Sequence, residues 1–80
     1  MHELGVLMQA VKQVDRVAAQ HRILRVKHIT LEVGETSGYV PAFLEKLFPV
    51  ATDGFPVLQG AALRIRMAPG SGLQIKDIGY

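Results

Sequence analysis

The first residues of the chain place several nitrogen donors within one short stretch. Met1 contributes the α-amine, His2 contributes an imidazole, and the peptide between them contributes an amide nitrogen. Donors at this spacing can close small chelate rings around one metal ion, and nitrogen donors in a square plane suit Ni(II) or Cu(II). We therefore treat the stretch Met-His-Glu at residues 1–3 as a candidate metal site.

The composition narrows the other chemistry that is open to the chain. None of the 80 residues is cysteine, so thiolate metal sites and disulfides are absent, and 49% of the residues are hydrophobic, which fits one compact domain. No apolar run approaches the ~20 residues of a membrane span, and Glu3 stands where a signal peptide would be basic. We expect a cytoplasmic protein that does not bind membranes.

The charge pattern argues against nucleic-acid binding. Nine Lys and Arg oppose seven Asp and Glu, which gives a formal net charge of +2 and a pI of about 9.3. The cations are scattered among acids, and the chain has no Trp, two Tyr and three Phe with which to stack on bases. We expect no nucleic-acid partner.

An amphipathic helix is predicted directly behind the Met-His-Glu stretch. Apolar residues recur three or four positions apart from Leu4 to about Gln20, with polar residues on the other side. The carboxylate of Glu3 would lie near the helix N-terminus, where negative charge is favoured. The apolar positions of this helix are Leu4, Leu7, Met8, Val11, Val14 and Ala18.

Three strands are predicted further along the chain. Alternating patterns mark a first strand at 27–33 and a second at 61–67, and a third starts at Leu73 and runs toward Tyr80. The residues APGSG at 68–72 form a short turn, so we expect the last two strands to pair as an antiparallel hairpin. The first two strands enclose a helix, which predicts a parallel pair.

The enclosed helix begins at Pro41 and runs to about Phe48, because proline suits a first helical turn. Pro49 lacks an amide hydrogen, so we expect an end or a kink there and not a straight helix through to Thr52. The elements together predict an α+β fold with two layers, in which two helices pack on one face of a three-stranded mixed β-sheet. We expect one domain over residues 1–80.

In this order, the stretches MHEL, LEVGETSGYVP and LQGAALRIR resemble the HypA/HybF family of nickel metallochaperones, which serve maturation of nickel-iron hydrogenase and, in some bacteria, urease. The resemblance spans about residues 1–67 and resumes at LQIKDI. It implies a Ni(II) site made by Met1 through its amine, by His2 through its imidazole and amide, and by Glu3 through its backbone amide or side chain. It also implies two partners, the hydrogenase-maturation GTPase and the hydrogenase large subunit.

The chain departs from the family between the second and the last strand. Family members usually carry there a zinc-binding segment with two Cys-x-x-Cys pairs, whereas MAPGSG stands here. We therefore expect no zinc, and a single nickel-binding domain in which a short turn near 68–72 replaces the zinc segment. The resemblance implies that the protein is a metallochaperone and not an enzyme. Such a protein would hand over its nickel by ligand exchange.

Other candidate residues point to simpler roles. His21 and His28 lie at no ligand spacing to another His or to a Cys, so we interpret both as structural. Glu32 and Glu35 are the nearest carboxylate pair, but the residues offer no catalytic base with an orienting partner.

The alternative function is a non-catalytic interaction module that has kept the fold but lost nickel delivery. Arg64 and Arg66 alternate along one strand face, where they are either solvated or part of a docking edge for a partner. An unpaired strand edge readily accepts another strand, so the module would dock onto the GTPase or form a homodimer.

Overall fold

The computed structural model describes residues 2–80. They form a single three-stranded sheet with two α-helices packed on one face. In chain order the elements are α1 (Glu3–Gln20), β1 (His28–Gly34), α2 (Pro41–Thr52), a short 3-10 helix (Pro56–Leu58), β2 (Ala62–Ala68) and β3 (Leu73–Gly79). Helix α1 packs against α2 and β3, and α2 packs against β2. The predicted α+β fold, with two helices on one face of a three-stranded mixed sheet, is confirmed.

Helix α1 buries Leu7, Val11, Val14 and Ala18 of the predicted apolar stripe, whereas Leu4, which was also predicted to face the core, is exposed. The helix ends in a defined reversal of the chain. The backbone N–H of Ile23 donates to the Ala18 carbonyl at 2.8 Å, and Arg22 has a φ of 56°. This is a Schellman-type end, in which the left-handed position usually holds glycine. An arginine there costs about 1–2 kcal/mol relative to ordinary helical backbone.

Strand β1 lies at the centre of the sheet, whose order is β2-β1-β3. It pairs in parallel with β2 and antiparallel with β3, so that Leu31 lies opposite Ile65 on one side and Ile75 on the other. The parallel pair is confirmed. The predicted hairpin between the last two strands is wrong, because β1 lies between them.

A four-residue strap, residues 69–72, carries the chain from β2 to β3 across the end of β1. Strands two positions apart are separated by about 9.6 Å, a distance that four extended residues cover. The strap is held by backbone hydrogen bonds from Gly34 N–H to the Gly72 carbonyl (2.7 Å) and from Thr36 N–H to the Gly70 carbonyl (2.9 Å). A short turn therefore does not require a hairpin when a third strand can take the central place.

Helix α2 does not end at Phe48 as predicted, but continues through Pro49 to Thr52. Phe48, Ala51 and Thr52 are buried, so ending the helix early would expose their side chains. The Thr52 hydroxyl donates to the Phe48 carbonyl at 3.2 Å, and the Gln59 side-chain amide donates to the Thr52 carbonyl at 2.7 Å. These contacts offset the cost of a proline inside the helix.

The core lies between the helices and the sheet, and it is built mainly from branched side chains. Burying one such side chain contributes about 1.5–3 kcal/mol. The largest fully buried side chains are Leu7, Val11, Val14, Val26, Ile29, Leu31, Val33, Leu44 and Leu58. Within residues 2–80, no helix combines the length and the apolar character that crossing a membrane requires.

We predict that Gly34→Ala destabilises the fold. A Cβ atom at Gly34 would collide with the backbone of Gly70 in the strap, whereas one at Gly72 would meet nothing within 4 Å. Overpacking of this kind costs about 1–3 kcal/mol. Urea denaturation should show this loss for Gly34→Ala and a change within about 0.5 kcal/mol for the control Gly72→Ala. Equal stability of the two variants would contradict this prediction, because it would show that the strap can shift away from the added Cβ atom at little cost.

We predict that Pro49→Ala stabilises the protein. The substitution restores an amide hydrogen and removes a ring from an exposed position inside α2, and the gain should be about 1–3 kcal/mol. Pro41, at the start of the same helix, provides the matched control, because proline is favoured there and Pro41→Ala should bring no gain. Thermal denaturation of both variants tests this prediction. A melting temperature of Pro49→Ala below that of the unchanged protein would contradict it.

Candidate metal centre

His2 stands directly before α1 with its side chain exposed to solvent. Its carbonyl accepts the Val6 N–H at 3.1 Å, while its imidazole makes no capping hydrogen bond. Met1, the other predicted ligand at this position, lies outside the described residues. The backbone of His2 is therefore held by the helix, and its imidazole is accessible to a metal ion.

Glu3, the third predicted ligand, is buried, with only 6% of its surface exposed. Its Oε2 accepts the backbone N–H of Val40 at 3.2 Å. Val40 is the residue that caps α2, so this carboxylate lies close to the N-termini of both helices, where negative charge is favoured. The side chain of Glu3 thus links the starts of the two helices.

The first N–H groups of an α-helix have no partner within the helix, and Glu3 is the first residue of α1. The His2 carbonyl accepts the Val6 N–H. The amide nitrogen of Glu3 therefore has no acceptor inside α1.

The turn after β1 places Val40 next to Glu3. The Thr36 hydroxyl donates to the Gly70 carbonyl at 2.7 Å, the Ser37 N–H donates to the Gly34 carbonyl at 3.0 Å, and the Ser37 hydroxyl accepts the Tyr39 N–H at 3.2 Å. These bonds fix the stretch GETSG against the strap. Glu3 and Val40 are therefore in contact, although they are 37 positions apart in the sequence, and Val40 lies two residues beyond GETSG.

The two other histidines lie away from this end of the molecule. His21 is exposed at the far end of α1, and an 18-residue helix is about 27 Å long. His28 Nε2 lies 3.6 Å from Asp77 Oδ1 and 3.4 Å from Arg64 Nη1. Between residues 2 and 80, no three side chains of His, Asp or Glu gather as a metal site. A site at the N-terminus therefore needs backbone nitrogen or the α-amine.

The carboxylates on the sheet have partners of their own. Glu32 accepts a hydrogen bond from the Gln74 side chain at 3.1 Å, and its Oε2 lies 3.8 Å from Lys76 Nζ. A shallow depression of about 310 Å³ lies beside the strap, and Glu32 is the single titratable side chain in its lining. Glu35 is exposed in the turn. These residues do not assemble a pair for acid-base catalysis.

Comparison with known proteins identifies the family of the chain. A family model described as HypA, hydrogenase/urease nickel incorporation, metallochaperone, matches residues 1–73. The hydrogenase maturation factor HypA of Trichodesmium erythraeum is 43% identical over 72 residues, which cover 90% of this chain and 60% of that protein. The HypA of Geobacter sulfurreducens is 39% identical over 72 residues, covering 90% of this chain and 62% of that protein. The chain thus spans about 60% of the length of these relatives.

A solved structure shows the same fold. The solution structure of the Ni metallochaperone HypA from Helicobacter pylori matches 96% of this chain and 72% of that chain, with a TM-score of 0.78 at 17% sequence identity. The resemblance found in the sequence is confirmed by the family match over residues 1–73. The chain belongs to the HypA family of hydrogenase and urease nickel-incorporation metallochaperones.

Proposed function

We propose that the chain binds Ni(II) at its N-terminus through the amine of Met1, the imidazole and amide of His2, and the backbone amide of Glu3. The observation that carries the proposal is the contrast between His2, which is exposed, and Glu3, whose buried carboxylate binds Val40. The contact of Glu3 fixes the backbone from which the ligands project. Nitrogen donors in a square plane suit Ni(II).

The proposed site favours transfer over storage. One exposed imidazole and the backbone nitrogens leave the ion open on its outer face, so an incoming ligand from a partner can displace them one at a time. The amine and any bound amide must release protons, so affinity falls as the pH is lowered. The partners implied by the family are the hydrogenase-maturation GTPase and the hydrogenase large subunit, and delivery takes place in the cytoplasm without catalysis by this chain.

The short strap stands in for the zinc segment of longer relatives. It closes the sheet beside GETSG through bonds to Gly34 and Thr36, so residues 1–80 form one nickel-binding domain without cysteine or zinc. The contact between Glu3 and Val40 uses only residues within this domain. This contact supports the proposal that nickel capture does not require the zinc segment.

The alternative is an interaction module, and the sheet edges favour it. In the sheet order β2-β1-β3, the outer edges of β2 and β3 pair with no other strand of residues 2–80. The pairing of β3 with β1 shifts register between Thr30 and Leu31, which leaves one extra residue in β3, whereas the pairing of β2 with β1 is regular. A homodimer or a GTPase contact would therefore use β2, where Arg64 and Arg66 are exposed.

We predict that the untagged protein binds one Ni(II) and that His2→Ala and one extra N-terminal residue each abolish binding. The first variant removes the imidazole, and the second moves the amine out of the chelate. Calorimetric titration measures the affinity, and optical absorption identifies a square-planar nitrogen environment. His21→Ala is the matched control, because His21 is equally exposed but lies at the other end of α1.

Equal binding by all four proteins would contradict the nickel site and favour the interaction module. The two functions separate further when binding to the purified GTPase is measured with and without nickel. The metallochaperone should respond to the metal, whereas an interaction module should not.

We predict that Glu3→Gln keeps nickel affinity within about threefold, because the ligand is the backbone amide and glutamine retains an acceptor for the Val40 N–H. Glu3→Ala leaves that N–H without its partner and should lower the free energy of unfolding by about 1–3 kcal/mol. Nickel titration and urea denaturation of both variants measure the two effects. If Glu3→Gln loses nickel while its stability is unchanged, the carboxylate is a ligand after all.

A further inference from the structure

The cations are unevenly distributed along the chain. Residues 16–31 contain four Lys and Arg and no Asp or Glu, so this run has a formal charge of +4. The rest of the chain holds the other five cations and all seven acids, which gives it a charge of −2. A small net charge therefore conceals one strongly basic segment. Its cations are Arg16, Arg22, Arg25 and Lys27.

Three of these cations lie on a loop that connects α1 to β1. The loop is fixed at both ends and in its middle: Ile23 N–H donates to the Ala18 carbonyl at 2.8 Å, Val26 N–H to the Val57 carbonyl at 2.9 Å, and Lys27 N–H to the Gly79 carbonyl at 2.7 Å. Val26 is also fully buried in the core. The loop therefore presents its exposed side chains in a defined arrangement.

Leu24 is the most unusual of these side chains. It is 91% exposed, more than any other large hydrophobic side chain of residues 2–80. It is flanked by Arg22 and Arg25, and we call the set Arg22, Leu24, Arg25 and Lys27 the basic loop. The two salt bridges found within residues 2–80 involve His28 and Lys76, so no carboxylate neutralises the cations of the basic loop.

We infer that the basic loop is a docking site for an acidic segment of a partner protein, whose own apolar side chains pack against Leu24. Arg25 donates a hydrogen bond to the Gln59 carbonyl at 3.4 Å, and no cation of the basic loop forms a salt bridge within residues 2–80. An exposed leucine close in sequence to three such cations is complementary to an acidic segment that carries apolar side chains, since charge complementarity speeds and orients association. Membrane-binding basic segments carry about four to eight Lys and Arg, and the basic loop has three. One leucine also buries little area in a lipid surface.

The position of the basic loop separates this role from metal binding. His2 and the basic loop lie at opposite ends of α1, which is about 27 Å long. A partner bound at the basic loop leaves the N-terminal residues uncovered. The inference goes beyond nickel binding and stands whether or not the N-terminal site holds metal.

The test is fluorescence anisotropy with a labelled glutamate-rich peptide that carries isolated leucines, measured at low and at physiological ionic strength. We expect binding that weakens with salt. Leu24→Ser should weaken it by about fivefold or more through lost apolar burial. The pair Arg22→Gly and Lys27→Gln should weaken it about five- to tenfold at low salt. Glycine at position 22 keeps the left-handed backbone.

The matched control is the pair Lys12→Gln and Lys46→Gln, which changes the net charge equally at exposed helical positions. It should change affinity by less than about twofold. Equal weakening by the control pair, or unchanged binding of Leu24→Ser, overturns the proposal, because attraction to net charge alone would then suffice. Binding to phosphatidylserine-containing vesicles or to duplex DNA in place of the peptide overturns it in favour of that other surface. Nickel affinity should be the same in all variants.

Discussion

The hydrogen bond between the Glu3 carboxylate and the Val40 N–H is the constraint on which the arrangement of this molecule depends. It joins the first turn of α1 to the residue that begins α2, so both helices must start at the same end of the sheet. Strand β1 must then run toward that end before the GETSG turn can reach Val40. Because the carboxylate is buried, breaking this bond would leave a charge away from water, which is costly.

The same bond explains how adjacent residues serve opposite purposes. Glu3 is directed inward and fixes the backbone, whereas His2 lies one position earlier, outside the helix, and remains in solvent. The proposed nickel site would therefore have a fixed backbone and an open outer face. Proteins that hold metal permanently usually enclose it with several side chains. Within residues 2–80, no three side chains of His, Asp or Glu come together as such an enclosure.

Local patterns in the sequence were sufficient for α1 and for the layered fold, because an apolar stripe such as Leu7, Val11 and Val14 reports directly which face is buried. They failed where a distant contact outweighed a local preference. Pro49 should end a helix, but burial of Ala51 and Thr52 extends α2 past it. Likewise, the short strap between β2 and β3 predicted a hairpin, but β1 lies between these two strands in the sheet. The role of Glu3 depends on Val40, and no local periodicity relates residues 37 positions apart.

Helix α1 separates two kinds of surface by its own length. Its N-terminus carries the buried carboxylate and the exposed imidazole, and its C-terminus leads through Arg22 into the basic loop. The left-handed backbone at Arg22 is informative, since glycine would adopt it with less strain and would not bear a charge. Placing an arginine there adds a cation beside Leu24 at some cost in stability. Under the two proposals, the contact that would hold a partner lies about 27 Å from the residue that would bind the ion, so it need not cover the ion.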